Sequence, residues 1–399
     1  MKILFVTPVI PTQTDGRRPY NFLKYISQRH ETHLICMKLK EQSQADVDHL
    51  VSMGVMVRYV HPIPPLNSII QCTIGLLMRR PLRASWCCSN QFRRVIRKAA
   101  QEERYDIVHF DRLRMGQYMS EANAPTVLDF TDSLPLYLKR SLRFRRALSE
   151  RLIDAWELFS IPSYERKLLQ KTNAPLVCSS VDADVFKQNS PGAAVEVIAN
   201  GVDIDQFQPR YHADGHKARC VITGTLFYFP NIDSVRFYWE DILPEVRRRF
   251  SQMETLLVGT RPQDEIRKLD GQHGLRLIAN APRMEEQLYS DDIYLCPLRV
   301  AAGVRNKLLE AMAAAMPIIT TKLGAEGLDI KHGKHVLFAE TPNQFVDCIQ
   351  QLQESPALQK NLGQAAREFI VQKHSYTSLG KQLEDLYQRL RSEGHRSHV

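Results

Sequence analysis

What the sequence lacks narrows its reading first. No run reaches the ~18 consecutive apolar residues of a membrane-crossing helix. The apolar start, Met1 to Ile10, leads to Asp15-Gly16-Arg17-Arg18 and not to a small-residue cleavage site, so it reads as a first strand and not a signal peptide. No Gly-x-Gly-x-x-Gly follows that strand, only Gly16, so the dinucleotide fingerprint is absent. The eight cysteines are scattered, with only Cys87 and Cys88 adjacent, and no pair has metal-site spacing. That excludes a zinc module and leaves buried free thiols in a reducing cytoplasm as the expectation. Acidic residues are missing altogether from residues 51–100, which carry eight basic ones.

Charge is correspondingly uneven. Residues 1–200 hold 28 Lys+Arg against 19 Asp+Glu, whereas residues 201–399 hold 25 against 25. The first half therefore faces something anionic. Two basic clusters interleave with apolar residues, Arg79 to Arg83 followed by Arg93 to Lys98, and Lys139 to Arg146. Each fits a solvated helix face and also a helix lying on anionic lipid. The absence of any nucleic-acid module and the neutral second half argue against a nucleic-acid partner. An apolar fraction of 44% and a charged fraction of 24% are those of a soluble globular chain, and 399 residues suit two domains.

Strand-like runs alternate with helical stretches throughout: Lys2 to Val9, His33 to Met37, Val55 to Val60, Tyr105 to Asp111, Thr126 to Asp132 and Leu176 to Ser180. After a polar segment from Gln206 to Lys217, taken as a linker, the rhythm restarts at Arg219 to Gly224, then Glu254 to Gly259, Leu275 to Ile278 and Asp292 to Pro297. Strands joined by helices imply parallel sheets covered on both faces, hence two α/β doubly wound domains. Ligands of such sheets sit beyond the carboxyl ends of the strands, where His109, Asp111, Asp129 and Asp132 fall. His109 also fits a histidine that merely caps a strand.

One stretch carries the most chemistry. Gly303-Val304-Arg305-Asn306-Lys307 leads into Leu308 to Ala315, and Pro317 then breaks to Ile318-Ile319-Thr320-Thr321. It reads as loop, helix, turn, strand. A glycine, an arginine and a lysine at a helix start suit a phosphate, and Glu310 one turn deeper suits a sugar diol. A surface helix with a Lys/Glu pair fits these residues equally well. Three Asp-x-Asp triplets, at Asp46/Asp48, Asp182/Asp184 and Asp203/Asp205, are read as caps and turns and not as metal sites.

Asn200-Gly201-Val202-Asp203 with Phe207 and Pro209, the Gly303–Thr321 stretch continuing to Gly327, and Asp106-Ile107-Val108-His109 keep the order of three motifs of glycosyltransferase family 4. The chain resembles that family over nearly its whole length. The resemblance implies a GT-B fold: two Rossmann-like domains facing a cleft. The N-terminal acceptor domain would span residues 1–205, with the last helix, about 377–399, packing back on it, and the donor domain residues 206–376. It implies a retaining transferase that moves a hexose from a nucleotide-sugar donor to a lipid-linked or saccharide acceptor in exopolysaccharide synthesis, at the cytoplasmic face of the membrane. No metal or other cofactor is expected. An anionic membrane surface is the further expected partner.

By the same resemblance Glu310 would bind the donor ribose. Arg305, Lys307, Arg261, Gly303 and the Gly224-Thr225 loop would meet the diphosphate. His109 or Asp111 would contact the transferred sugar, and Gly16, Arg17 and Asn21 would lie toward the acceptor. The chain departs from the pattern in four places. Ala302 stands where a glutamate is common, Asp111 where many members have a second histidine, and Gly16 where two glycines are usual. The Gly224–Asn231 loop lacks the family's arginine and lysine. An epimerase of the same fold and a non-catalytic nucleotide- or membrane-binding module remain as alternative readings.

Overall fold

The structure, a computed structural model, describes residues 1–213 and 216–396. It divides into two compact units. One comprises Met1–Ala199 with the segment from Tyr376 onward, and the other Asn200–Ser375. The division falls a few residues before the expected boundary at 205, and the expected linker after 205 lies inside the second unit. Hydrogen bonding explains why: Val202 N donates to His374 O, and the Asn200 side-chain amide donates to Val304 O at 2.9 Å.

The first unit holds a seven-stranded sheet of β1 (Lys2–Thr7), β2 (Glu31–Lys38), β3 (Val55–Pro62), β4 (Ile107–Asp111), β5 (Thr126–Thr131), β6 (Ala174–Val177) and β7 (Glu196–Val197), in the order β3-β2-β1-β4-β5-β6-β7. Every pairing is parallel. Runs such as Ile3-Leu4-Phe5-Val6 are buried on both faces, as parallel strands under two helical layers must be. The helix Tyr376–Arg396 contributes Leu379, Leu383, Leu386, Tyr387 and Leu390 to this core. Their spacing of three and four makes one apolar stripe. Gly380 lets that helix close on Tyr25, whose ring a Cβ would meet at 2.3 Å.

The second unit holds β8 (Cys220–Thr225), β9 (Thr255–Thr260), β10 (Leu275–Ala279), β11 (Ile293–Cys296), β12 (Ile318–Thr320) and β13 (Leu337–Phe338), in the order β10-β9-β8-β11-β12-β13, again all parallel. In each sheet the winding reverses once, between β1 and β4 and between β8 and β11. Loops leaving adjacent strands at such a switch point diverge to opposite faces and open a crevice at the carboxyl ends. Among the described residues no helix is long and apolar enough to cross a membrane.

Candidate functional site

In the second unit the switch-point loops follow Thr225 and Cys296. The loop after β11 ends at Gly303, whose φ of 73° is the left-handed conformation that glycine adopts without steric cost. Arg305 is the N-cap of the helix Asn306–Ala313, which has no side-chain cap and no acidic residue in its first turn. Leu308 N and Leu309 N both donate to Arg305 O, so the N–H groups of Asn306 and Lys307 and the positive dipole end are what this helix start offers an anion. Lys307 is half-buried just inside, with its ammonium donating to Asn231 Oδ1 at 2.9 Å. Burial pulls Lys307 below its ordinary pKa, while Glu310 acts on it in the opposite sense. Glu310 is itself buried on the same helix.

Asn231 is the residue that sequence reasoning missed. Its amide nitrogen donates to Thr225 O at 3.0 Å while its oxygen receives Lys307. A Cβ on Gly224 would come within 2.8 Å of the Asn231 side chain, so the glycine makes room for this bridge. Gly224, Thr225 and Lys307 are thereby brought together through an asparagine in the first turn of the helix Phe229–Phe237.

Arg261 follows β9, one strand over. Its φ is 50°, its N–H donates to Asn280 Oδ1 at 2.8 Å, and its guanidinium lies 4.1 Å from the Phe227 ring centre. A cation held over a ring face gains a direction from that contact. Arg305 departs from the expectation for a phosphate-facing group. It donates to Leu323 O at 2.5 Å and Glu326 O at 3.3 Å, and lies 3.8 Å from the Glu326 carboxylate. It anchors the loop after β12, since buried carbonyls must find donors and a guanidinium can serve several at once.

In the first unit His109 and Asp111 stand two residues apart on β4 and so share a sheet face. His109 is sealed there. Its Nδ1 meets the Tyr387 hydroxyl at 2.7 Å, its ring stacks on Phe5 at 4.7 Å, and Nε2 lies 3.9 Å from Asp129. Burial lowers its pKa to about 4, so it is a neutral core imidazole. Asp111 lies at the strand's end and is 1% exposed, with Oδ2 unpaired by any hydrogen bond and Arg112 Nε at 3.8 Å. Burial raises it to about 6. Arg112 and Thr131, the residues at the ends of the adjacent strands β4 and β5, hold φ of 66° and 69°. Non-glycine residues in that region cost of order 1 kcal/mol each and cluster at ligand-contacting loops.

Gly16, Arg17 and Asn21 share the turn that opens the first helix, Arg17–Ile26. Gly16 is left-handed at φ 70°, and Asn21 donates to Arg17 O at 2.8 Å. The neighbour Arg18 is the buried arginine of this turn. Its Nε donates to Asp129 at 2.6 Å, and its other nitrogens reach Ala199 O and Ile198 O, each at 2.8 Å. Replacing Arg18 by Met strands the Asp129 carboxylate in the core. The expected cost is about 3–5 kcal/mol, read as a fall in melting temperature; an unchanged melting point would refute the pair's structural role.

The Asp-x-Asp triplets serve local structure. Asp46 closes a capping box with Ser43, Asp182 accepts from Ser133 N, and Asp203 accepts from Asp205 N and Gln206 N. Among the described residues His212, His216 and Asp291 form a group of metal-ligand types. There Arg219 lies against His212 Nε2 at 3.0 Å and His216 bonds Asp292 at 3.0 Å, the arrangement of an ion-pair cluster.

With this geometry in hand, comparison with known proteins is specific. Residues 16–206 match the family described as "Glycosyltransferase Family 4", and residues 217–355 the family "Glycosyl transferases group 1". A Klebsiella pneumoniae "Uncharacterized 44.6 kDa protein in cps region" is 25% identical over 87% of this chain and 89% of its own length. A Mycobacterium tuberculosis "Phosphatidyl-myo-inositol mannosyltransferase" is 26% identical over 52% of this chain and 58% of its own. Among solved structures, sucrose-phosphate synthase from Thermosynechococcus elongatus superposes with a TM-score of 0.71 at 15% identity, covering 98% of this chain and all of that one. Anabaena HepE in complex with UDP superposes at 0.67 and 14%, with the same coverage.

Proposed function

Since the chain belongs to glycosyltransferase family 4 and has the GT-B fold, we propose that it transfers a hexose from a nucleotide-sugar donor, with retention and without a metal, to a lipid-linked or saccharide acceptor. The observation that carries this reading is the uncapped helix start at Asn306, backed by Lys307 and Glu310 and reached through the left-handed Gly303. A diphosphate set against those N–H groups has its leaving-group charge offset by the helix dipole and the Lys307 ammonium. Glu310, an acceptor-only group, receives the ribose hydroxyls. Arg261 supplies the second cation. Arg305 acts indirectly, by holding the loop after β12.

Asp111 is the proposed partner of the transferred sugar. It ends β4 with one carboxylate oxygen that accepts no hydrogen bond, whereas His109 is taken up by Tyr387. The UDP complex of HepE favours a uridine donor, and the relative from a cps region favours a polysaccharide product.

The test is a calorimetric panel of UDP-, GDP- and ADP-sugars in the presence of a chelator. One base is expected to bind with a dissociation constant on the order of 10 μM. If no nucleotide binds, the donor site is misassigned; if binding collapses on chelation, metal independence is wrong.

A further inference from the structure

Asn306 opens the helix Asn306–Ala313, and its side chain lacks the bond that asparagine ordinarily makes in such a place. An asparagine at a helix start commonly serves as a cap, its oxygen accepting an N–H two or three residues on. Here the N–H groups of Leu308 and Leu309 both go to Arg305 O, at 3.0 and 3.2 Å. Asn306 Oδ1 is buried and accepts no hydrogen bond. The residue as a whole is half-buried, so its amide borders the open side of the helix start, and a half-turn about χ2 exchanges the two ends. A buried amide end costs stability until another polar group completes it.

The neighbours select that group. Helical side chains lean toward the N-terminus, so the Asn306 amide extends past the helix start and away from Glu310, one turn deeper. The oxygens of a nucleotide-sugar's diphosphate carry no proton at neutral pH and have none to give an amide oxygen. They suit the N–H groups of Asn306 and Lys307 and the Lys307 ammonium instead. The ribose hydroxyls fall to Glu310. What remains for the helix start is a hydroxyl of the hexose. A hydroxyl both donates and accepts, so it satisfies whichever end of the amide turns toward it. The loop leading in offers no competitor, since Ala301, Ala302, Gly303 and Val304 carry no polar side chain.

We infer that the Asn306 side-chain amide holds a hydroxyl of the transferred hexose and so sets which nucleotide-sugar the second unit accepts. This role rests on the donor site as read above and carries it from the nucleotide to the sugar.

The experiment is calorimetry of the full chain with UDP, GDP and ADP, with UDP-glucose, UDP-galactose, GDP-mannose and ADP-glucose, and with the singly deoxygenated forms of the sugar conjugate that binds. Asn306→Ala should weaken that conjugate about tenfold and its bare nucleoside diphosphate less than about twofold. One deoxy form should bind the wild type about tenfold more weakly than its parent, and Asn306→Ala should erase that difference. A residue that merely shaped the helix would not single out one hydroxyl. Asn306→Ser, too short to span the same bond and well suited to a helix start, should behave alike and decides the matter should the alanine variant melt early. Equal losses for diphosphate and conjugate, or no loss for either, would overturn the role of Asn306 and leave the donor site standing. So would a wild type indifferent to every deoxy form, or one that binds a bare diphosphate and no conjugate. If nothing in the panel binds the wild type, the donor site itself is misassigned and the role of Asn306 falls with it.

Discussion

Replacing Glu310 by Ala is expected to weaken nucleotide binding by about 100-fold while leaving the fold intact. A carboxylate holding two hydroxyls makes two charge-assisted hydrogen bonds, together worth about 3 kcal/mol of affinity. Glu310 sits one turn into the helix Asn306–Ala313, whose first turn holds no acidic residue. Calorimetry with the preferred nucleoside diphosphate reads the loss directly. Glu310→Gln should recover a small part of it, because an amide still offers one acceptor. Wild-type affinity in the alanine variant would show that the ribose binds elsewhere, and the reading of Lys307 and Gly303 as its neighbours would fall with it.

Asp111→Asn is expected to separate activity from stability. Turnover should fall by about 100-fold or more with donor affinity unchanged, because the charge is used only when the sugar is transferred. Stability should move the other way. The Asp111 carboxyl titrates in the folded protein at about 6 instead of 3.8, so the folded state binds its proton more tightly than the unfolded chain does. The buried charge therefore costs stability in full above about pH 6, and that cost disappears as pH falls toward 3.8. An uncharged asparagine avoids it, and the variant should be more stable at pH 7.5 by about 1–3 kcal/mol. The advantage should vanish near pH 4. His109 has the opposite sign: its folded pKa of about 4 lies below 6.5, so its stability contribution is complete above pH 6.5 and is lost as pH falls through that window. Thermal melts at the two pH values, beside initial rates, check both halves. A variant that keeps full activity, or one that melts early at pH 7.5, would remove Asp111 from the mechanism.

The strands were legible because parallel strands covered on both faces read as unbroken apolar runs, and β1, β4, β9 and β11 all announce themselves that way. The helix start at Asn306 was legible for a local reason: Gly303, Lys307, Glu310 and Pro317 lie within one short stretch. What escaped depends on residues far apart in the chain. Nothing near His109 signals that Tyr387, 278 positions away, fills its ring nitrogen. Arg17 and Arg18 are indistinguishable in sequence, and only the positions of Asp129 and the carbonyls at 198 and 199 make Arg18 the buried one. Asn231 looks like a loop residue until Gly224 is seen to leave room for it. Arg305 fits the phosphate pattern but is held by carbonyls in the loop after Thr321, a segment whose path no periodicity reveals. The helix Pro65–Leu77 turns Leu66 and Leu77 outward, which escaped because amphipathic spacing shows that a helix has two sides and not which one is buried. Ser68 and Gly75 decide it by packing.

The central claim is that a sugar leaves a nucleotide and joins an acceptor with its anomeric configuration kept. Proton NMR of the product, formed from the nucleotide-sugar that binds and a panel of saccharide and lipid-linked acceptors, measures this in one spectrum. The account predicts a glycoside whose anomeric coupling matches the donor's. A glycoside of inverted configuration, or a tightly bound donor that no acceptor consumes, would contradict it.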